Sequence, residues 1–245
     1  MDEHLLLSFA DLERSHWWFT VRRRIVSEAV GALGVSGSLS ILEVGCGVGG
    51  MLGELRTRFP EARVCGVEPN DAAAAIARGY GCPVDRGTFE HLPAADASVD
   101  LLVALDVLEH CEDDSAALAE AHRVLLPGAP LVLTVPALPS LWSQHDDDNR
   151  HFRRYTKRTL RDAIADSGLV IERITYFNGL LLPVAYPARH LARVTGWRKA
   201  LGVGRPPAPL NALLKAIFSV ERVLLRRTDL PAGMSLLAIV RKPEA

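Results

Sequence analysis

The sequence is short of the features that mark secreted, membrane-spanning or nucleic-acid-binding chains. Its four cysteines, Cys46, Cys65, Cys82 and Cys111, lie 19, 17 and 29 residues apart with no CxxC pair. Neither a disulfide framework nor a structural zinc site is therefore expected. No window approaches the ~20 uncharged apolar residues needed to span a bilayer. The opening stretch, MDEHLLLSFADLERSHWW, is acidic and amphipathic and lacks the basic region and cleavage site of a secretory leader. Twenty-eight basic against 29 acidic side chains leave a net charge of −1. That balance gives nucleic acid and anionic membranes no general electrostatic hold. No clean metal-ligand spacing is visible, and no metal is expected. A cytoplasmic protein is the simplest reading.

What the sequence has is a core and a rhythm. Apolar residues make up 49% and charged residues 23%, ordinary for a chain able to bury a sizeable interior. Short apolar runs of the kind that form buried parallel strands occur at residues 40–44, 62–67, 82–85, 99–105, 130–135, 169–176 and 234–241. Helical spacing fills the gaps at 50–59, 71–80, 115–126 and 156–167, with Pro60, Pro127 and Gly168 as stops. Strands alternating with helices predict one doubly wound α/β domain with right-handed crossovers. The expected divisions are an N-terminal helical cap (1–38), a core (39–178), a helical insertion (179–229) and a final strand (230–245).

Three stretches stand outside the alternation. Residues 16–25, HWWFTVRRRI, combine three aromatics with three arginines. Residues 137–155 read as a polar, aromatic-bearing loop. Residues 179–229 contain an apolar run and an amphipathic helix at 211–225 carrying Leu213, Leu214, Ile217, Phe218, Val220, Val223 and Leu224. That insertion reads as an ordinary packing subdomain, a lid over a greasy pocket, a dimer face, or a membrane-surface contact helped by Arg189, Arg193, Arg198 and Lys199. In open α/β sheets ligands bind outside the carboxyl ends of the strands, where such additions build substrate sites.

The chemistry starts at Glu43-Val44-Gly45-Cys46-Gly47-Val48-Gly49-Gly50, which follows a strand and opens a helix. Glycines let the backbone pass close to a ligand, and a helix N-terminus offers free N–H groups. Gly45, Gly47 and Gly50 also satisfy G-x-G-x-x-G, so a dinucleotide is formally open. Glu68 ends the second strand, where a carboxylate can accept hydrogen bonds from both ribose hydroxyls of an adenosine cofactor.

At this point the sequence resembles the class I S-adenosylmethionine-dependent methyltransferases, from about residue 39 to residue 135. Their first motif, an acid followed by G-x-G-x-G, is matched by Glu43, Gly45, Gly47 and Gly49. The resemblance implies that this segment, with Cys46, holds the methionine part of the cofactor, and that Glu68 and the adjacent Pro69 meet the ribose. It implies that Thr88, Phe89 and Glu90 frame the adenine. Thr88 stands where many members have an acid, so the amino contact falls to Glu90 or to backbone. Leu105-Asp106-Val107-Leu108-Glu109-His110 looks like the family's DVLEH segment, closing over the methionine and sulfonium. The fold so implied is a Rossmann-like, seven-stranded, mostly parallel sheet with an antiparallel final strand, plus the helical insertion. The implied cofactor is S-adenosyl-L-methionine, with S-adenosyl-L-homocysteine as product.

A methyl acceptor that is a hydroxyl or amine can need a base. His145, Asp146, Asp147, Asp148, His151 and Tyr155 fall within eleven residues. His145 or His151 is the candidate base, oriented by a neighbouring aspartate. Trp142, Asp146 and Tyr155 are candidate substrate residues. Here too a W-x-x-H-D…H-x-R-R-Y pattern resembles one subgroup of these enzymes. The bland alternative is a solvated acidic run braced by Arg153, Arg154 and Tyr155. His110 reads either as a third base candidate or as a histidine packed under the cofactor. Trp18 and Arg22 either fold over the cofactor, with Arg22 pairing its carboxylate, or stack on the acceptor, or anchor a cap helix. The expected function is methyl transfer to an oxygen or nitrogen of a small-molecule acceptor, with carbon left open and a homodimer allowed. Two other classes remain: an NAD-dependent oxidoreductase, weakened by Glu43 and the lack of a Tyr-x-x-x-Lys pair, and a non-catalytic cofactor-binding subunit. Nucleic acid is not an expected partner, since no Asn/Asp-Pro-Pro-Tyr-type motif is present.

Overall fold

The structure is a computed structural model that describes residues 10–195 and 206–244. In chain order its elements are α1 (Trp17–Gly31), β1 (Ser40–Val44), α2 (Gly50–Arg58), β2 (Arg63–Val67), α3 (Asp71–Arg78), β3 (Val84–Asp85) and β4 (Leu101–Leu105). There follow α4 (Asp114–Val124), β5 (Pro130–Pro136), α5 (Gln144–Asp148), α6 (Lys157–Ala165), β6 (Val170–Phe177), α7 (Leu182–Thr195), α8 (Ala208–Leu225) and β7 (Ser235–Arg241). Single 3-10 turns lie at Leu108–His110 and Pro139–Leu141.

The strands form one seven-stranded sheet in the order β3-β2-β1-β4-β5-β7-β6. Only β7 runs antiparallel, inserted between β5 and β6, as the resemblance implies. Burial follows position in the sheet. All five residues of β4 and all seven of β5 are buried, because helices cover both faces and a strand so covered must be apolar throughout. Edge strand β6 is mixed along its length, exposed at Val170 and Glu172 and buried at Ile174 and Thr175. Along β4, Leu102 and Ala104 point into one layer with Leu118, Val124, Leu160 and Ile164 of α4 and α6. Leu101, Val103 and Leu105 point into the other, with Val26, Leu52 and Phe218 of α1, α2 and α8.

Local signals start and stop the helices as their chemistry dictates. Asn70 caps α3 by accepting from the Ala72 and Ala73 amides, both at 3.1 Å. Thr156 and Thr159 close a capping box on α6, satisfying orphan N–H groups of its first turn.

The stretch 16–25 enters α1 through His16, whose Nδ1 accepts from the Trp18 amide. Two expectations change. Residues 137–155 are not a plain loop: the Pro139–Leu141 turn and α5 structure them. The α8 helix begins at Ala208 and buries Phe218, Glu221 and Leu225 rather than the whole apolar set; Leu213, Val220, Val223 and Leu224 are exposed. Arg198 and Lys199 lie outside the described residues, as do the side chains of Arg189 and Arg193. No helix among the described residues is long and apolar enough to cross a membrane.

The cap and the insertion pack on each other. The Trp18 ring lies parallel to Phe218 at 5.4 Å and to Phe177 at 5.7 Å between centroids. The Trp17 amide donates to Asn211 Oδ1 at 2.9 Å, and Arg226 grips Glu28 at 2.7 and 2.9 Å.

Candidate functional site

Strand order reverses between β1 and β4, and their carboxyl ends are in register, Val44 opposite Ala104. The two loops that leave these strands therefore face each other across the crevice where such sheets bind ligands. In the first loop each glycine has its own reason. Gly45, at φ 61°, lies so close to Val107 that a Cβ would stand 2.6 Å from its methyl group. Gly49, at φ 91°, is pressed against α3, its Cβ position 2.8 Å from Ala77 Cα. Gly47, at φ 55°, faces nothing within 4 Å. The first two glycines are required by packing; the third opens onto space.

Glu68, buried at the end of β2, closes the far side of this corner. Its carboxylate accepts from the Gly47 amide at 2.9 Å and the Asn70 amide at 3.0 Å. One oxygen, Oε2, thereby meets the open glycine, while Oε1 is held by Asn70. Pro69 beside it is exposed. Glu43 is buried and its Oε2 has no hydrogen-bond partner; burial, reinforced by Glu13, holds its carboxyl well above the usual carboxylate range. Glu13 sits over the start of α2, within 2.4 Å of a Cβ built on Gly50.

Several residues assigned to the cofactor turn elsewhere. Cys46 packs its thiol in the core beside Gly66, and its amide donates to the Val67 carbonyl. Phe89 and Leu105 are core residues. Glu90 meets the buried Cys111 thiol, while Thr88 is exposed and bridges to His91. Trp18 stacks on both Phe177 and Phe218 in a three-ring cluster that ties α1 to α8 and the end of β6. Arg22 pairs with Asp106, which also accepts from the Thr134 hydroxyl at 3.2 Å. Asp106 is one of few non-glycine residues at positive φ, 56°, the conformation that aims its loop back toward Gly45.

Across the rim, residues 143–155 fold around one carboxylate. Asp146 is fully buried and accepts from Arg154 Nε at 2.7 Å, Arg154 Nη2 at 3.0 Å, the Ser143 amide at 2.8 Å and His151 Nδ1 at 2.9 Å. Burial pushes its pKa up, but the bonds from His151 and Arg154 outweigh it and hold the carboxyl below the usual range. An ionised carboxylate only accepts, so His151 carries its proton on Nδ1 and leaves Nε2 with the lone pair. The expectation of a base oriented by an aspartate thus has its geometry in His151 and Asp146. Asp146 itself is too enclosed to touch substrate.

Tyr155, also expected at the substrate, is buried beneath this segment with its hydroxyl donating to Asp114 Oδ2 at 2.9 Å. Burial and then Asp114 raise its pKa, which suits a brace. The Trp142 indole donates to Asp147 at 2.9 Å, and His145 contacts the Asn149 amide at 3.0 Å.

The 3-10 turn after β4 reaches this cluster. His110 is exposed and lies edge-on to His151 at 4.6 Å between ring centroids, with His145 at 6.0 Å from His151. Desolvation by the surrounding protein, then His151, lowers the His110 pKa. Beneath them Glu109 is fully buried, and burial followed by the Asp106 charge raises its pKa well above the usual range. Glu109 was named in the sequence only as part of a run. An acid next to a histidine, at the end of a strand buried on both faces, was the available signal.

Comparisons with known proteins agree with this fold. A family model described as a methyltransferase domain matches residues 42–133. A Mycolicibacterium smegmatis protein named "Probable S-adenosylmethionine-dependent methyltransferase" is 31% identical over 188 residues, 73% of this chain and 69% of that protein. A malonyl-[acyl-carrier protein] O-methyltransferase of Hahella chejuensis is 30% identical over 139 residues, 53% of this chain and 50% of that protein. This chain spans about half the length of several curated relatives it matches. Among solved structures, the chain bound to the Trm112 methyltransferase activator of Haloferax volcanii superimposes with a TM-score of 0.65 at 18% identity, covering 99% of this chain and 97% of that one.

Proposed function

The chain belongs to the class I S-adenosylmethionine-dependent methyltransferases, and on that premise we propose that it moves a methyl group to an oxygen or nitrogen of a small-molecule acceptor. The residues of the glycine corner fit the cofactor: Gly47 fronts open space, and the Glu68 carboxylate is fixed beside it by the Gly47 and Asn70 amides, with lone pairs left to accept from a ribose. When bound, S-adenosylmethionine supplies a methyl group already activated by its sulfonium. What remains for the protein is to align the acceptor and to take its proton. Alignment of two bound reactants contributes roughly 7–11 kcal/mol to lowering a barrier. Cofactor roles go to Glu43, Gly47, Glu68 and the Asp106–Val107 loop.

The observation that carries the acceptor half is the His151–Asp146 pair at 2.9 Å. Asp146 fixes the tautomer, so Nε2 of His151 receives the acceptor's proton as the new bond to carbon forms. Asp146, held in turn by Arg154, stabilises the imidazolium that results. A positioned base of this kind is worth about 10²–10⁴-fold. Hydroxyl groups and primary or secondary amines release a proton on methylation, and the pair provides for it.

The test is transfer of labelled methyl from S-adenosylmethionine to a panel of hydroxyl, carboxyl and amine compounds by wild type and by His145→Ala/His151→Ala. We expect transfer to a member of the panel, reduced at least about 100-fold in the double variant, with S-adenosylhomocysteine affinity unchanged. An undiminished rate in the variant would remove His151 as base. Cofactor binding without transfer to any compound would sink the small-molecule reading.

A further inference from the structure

The sequence shows no metal-ligand spacing, yet the fold assembles one. We propose that Glu109, His110 and His151 form a binding site for a borderline divalent cation of the zinc type, placed at the acceptor side of the rim. Among the described residues, one donor atom of each of the three lies within 4.8 Å of the others. That is close enough for small side-chain rotations to bring all three onto a single ion.

Glu109 is the second, independent observation. Its side chain is fully buried, and neither carboxylate oxygen has a hydrogen-bond partner. Arg22 and Arg154 are near enough to act on it electrostatically, but they donate to Asp106 and Asp146. A buried carboxylate without a partner is unfavourable, and a cation between it and the two imidazoles is the group that would satisfy it.

His151 is prepared as a ligand in the usual second-layer manner. A metal-binding imidazole typically donates its other nitrogen to a carboxylate, which fixes the ring and raises its basicity. The His151 Nδ1 bond to Asp146 does this and leaves Nε2 for the ion. His110 closes the site from the exposed side. Two imidazoles and one carboxylate suit zinc, cobalt, nickel or iron(II) rather than magnesium or calcium, which prefer oxygen donors throughout. Three protein ligands leave a coordination position open to solvent or acceptor. The site does not depend on methyl transfer. It does compete with it, because the Nε2 lone pair serves either the acceptor proton or the ion.

Chelator-treated protein titrated with Co²⁺, followed by calorimetry and visible absorption, tests the site. Wild type should take up one Co²⁺ per chain with a ligand-field band of nitrogen and oxygen coordination. Glu109→Gln and His110→Ala should each weaken uptake about 10-fold or more, while His145→Ala leaves it intact. S-adenosylhomocysteine titrated in parallel reports the fold and the cofactor corner of every variant. His110 is exposed, so its variant keeps the test alive if Glu109→Gln does not fold. No uptake by wild type, uptake undiminished in the first two variants, or loss confined to His145→Ala would each overturn the proposal, and normal S-adenosylhomocysteine binding alongside would leave the methyltransferase assignment standing.

Discussion

At the end of β1 the corner offers an open glycine and, from the end of β2, a carboxylate held by two main-chain amides. The segment between β5 and α6 offers side chains instead, the imidazoles of His145 and His151 over a buried ion pair, joined by His110 from the turn after β4, some forty residues earlier in the chain. The first arrangement depends on where the backbone can go. The second depends on which charges can be satisfied after the backbone has stopped. A change at Gly47 or Glu68 should therefore alter ligand affinity more than the fold, whereas a change in the side-chain cluster should alter both stability and turnover.

The largest expected effect breaks the cluster. In Asp146→Asn the buried Arg154 loses its counter-charge, and severing one partner of a buried pair destabilises by about 3–5 kcal/mol. Denaturant unfolding should show that loss, with turnover reduced as His151 loses its tautomer, while S-adenosylhomocysteine affinity of the folded fraction stays near wild type. An unchanged unfolding midpoint would mean the pair is not the keystone of residues 143–155.

Next comes Glu68→Ala. Two charge-assisted hydrogen bonds at roughly 1.5–3 kcal/mol each predict at least a ~100-fold loss of S-adenosylhomocysteine affinity by calorimetry. Retained affinity would move the ribose elsewhere. The smallest effect belongs to Gly47→Ala. No atom opposes the new methyl group, so the penalty is the left-handed conformation alone, about 1–2 kcal/mol. It should lower the melting temperature by a few degrees and weaken cofactor binding about 10-fold. If Gly47→Ala harms stability as much as Asp146→Asn, the contrast between the regions fails.

The same contrast explains what could be read from the sequence. The alternation of apolar runs and helical spacing announced the sheet, because strands buried on both faces have no freedom to be polar. The corner announced itself through Glu43, the spaced glycines and Glu68, all dictated by local backbone geometry. The cluster is half visible: the sequence offers His145 or His151 with a neighbouring aspartate, and the fold selects His151 and Asp146. Glu109 is not visible, since nothing in the spacing of residues 109 and 151 tells which turn of which strand will meet. The sequence leaves Tyr155 open between substrate contact and a brace, and places Asp146 at the substrate. Their burial follows from Arg154 and Asp114, partners that only the folded chain supplies. Trp18 was open between three roles, and Phe177 and Phe218 decided it from 159 and 200 positions away.

The stacking of Trp18 on Phe218 also has a consequence for how this fold can be inherited or rebuilt. The cap and the insertion behave as a single part encoded in two places, since each supplies the surface the other needs: Trp17, Trp18 and Glu28 on one side, Asn211, Phe218 and Arg226 on the other. A chimera that borrows the insertion for another core must borrow the opening helix with it. A shortened chain that starts at the first strand would present bare aromatic surface and be drawn to its own kind.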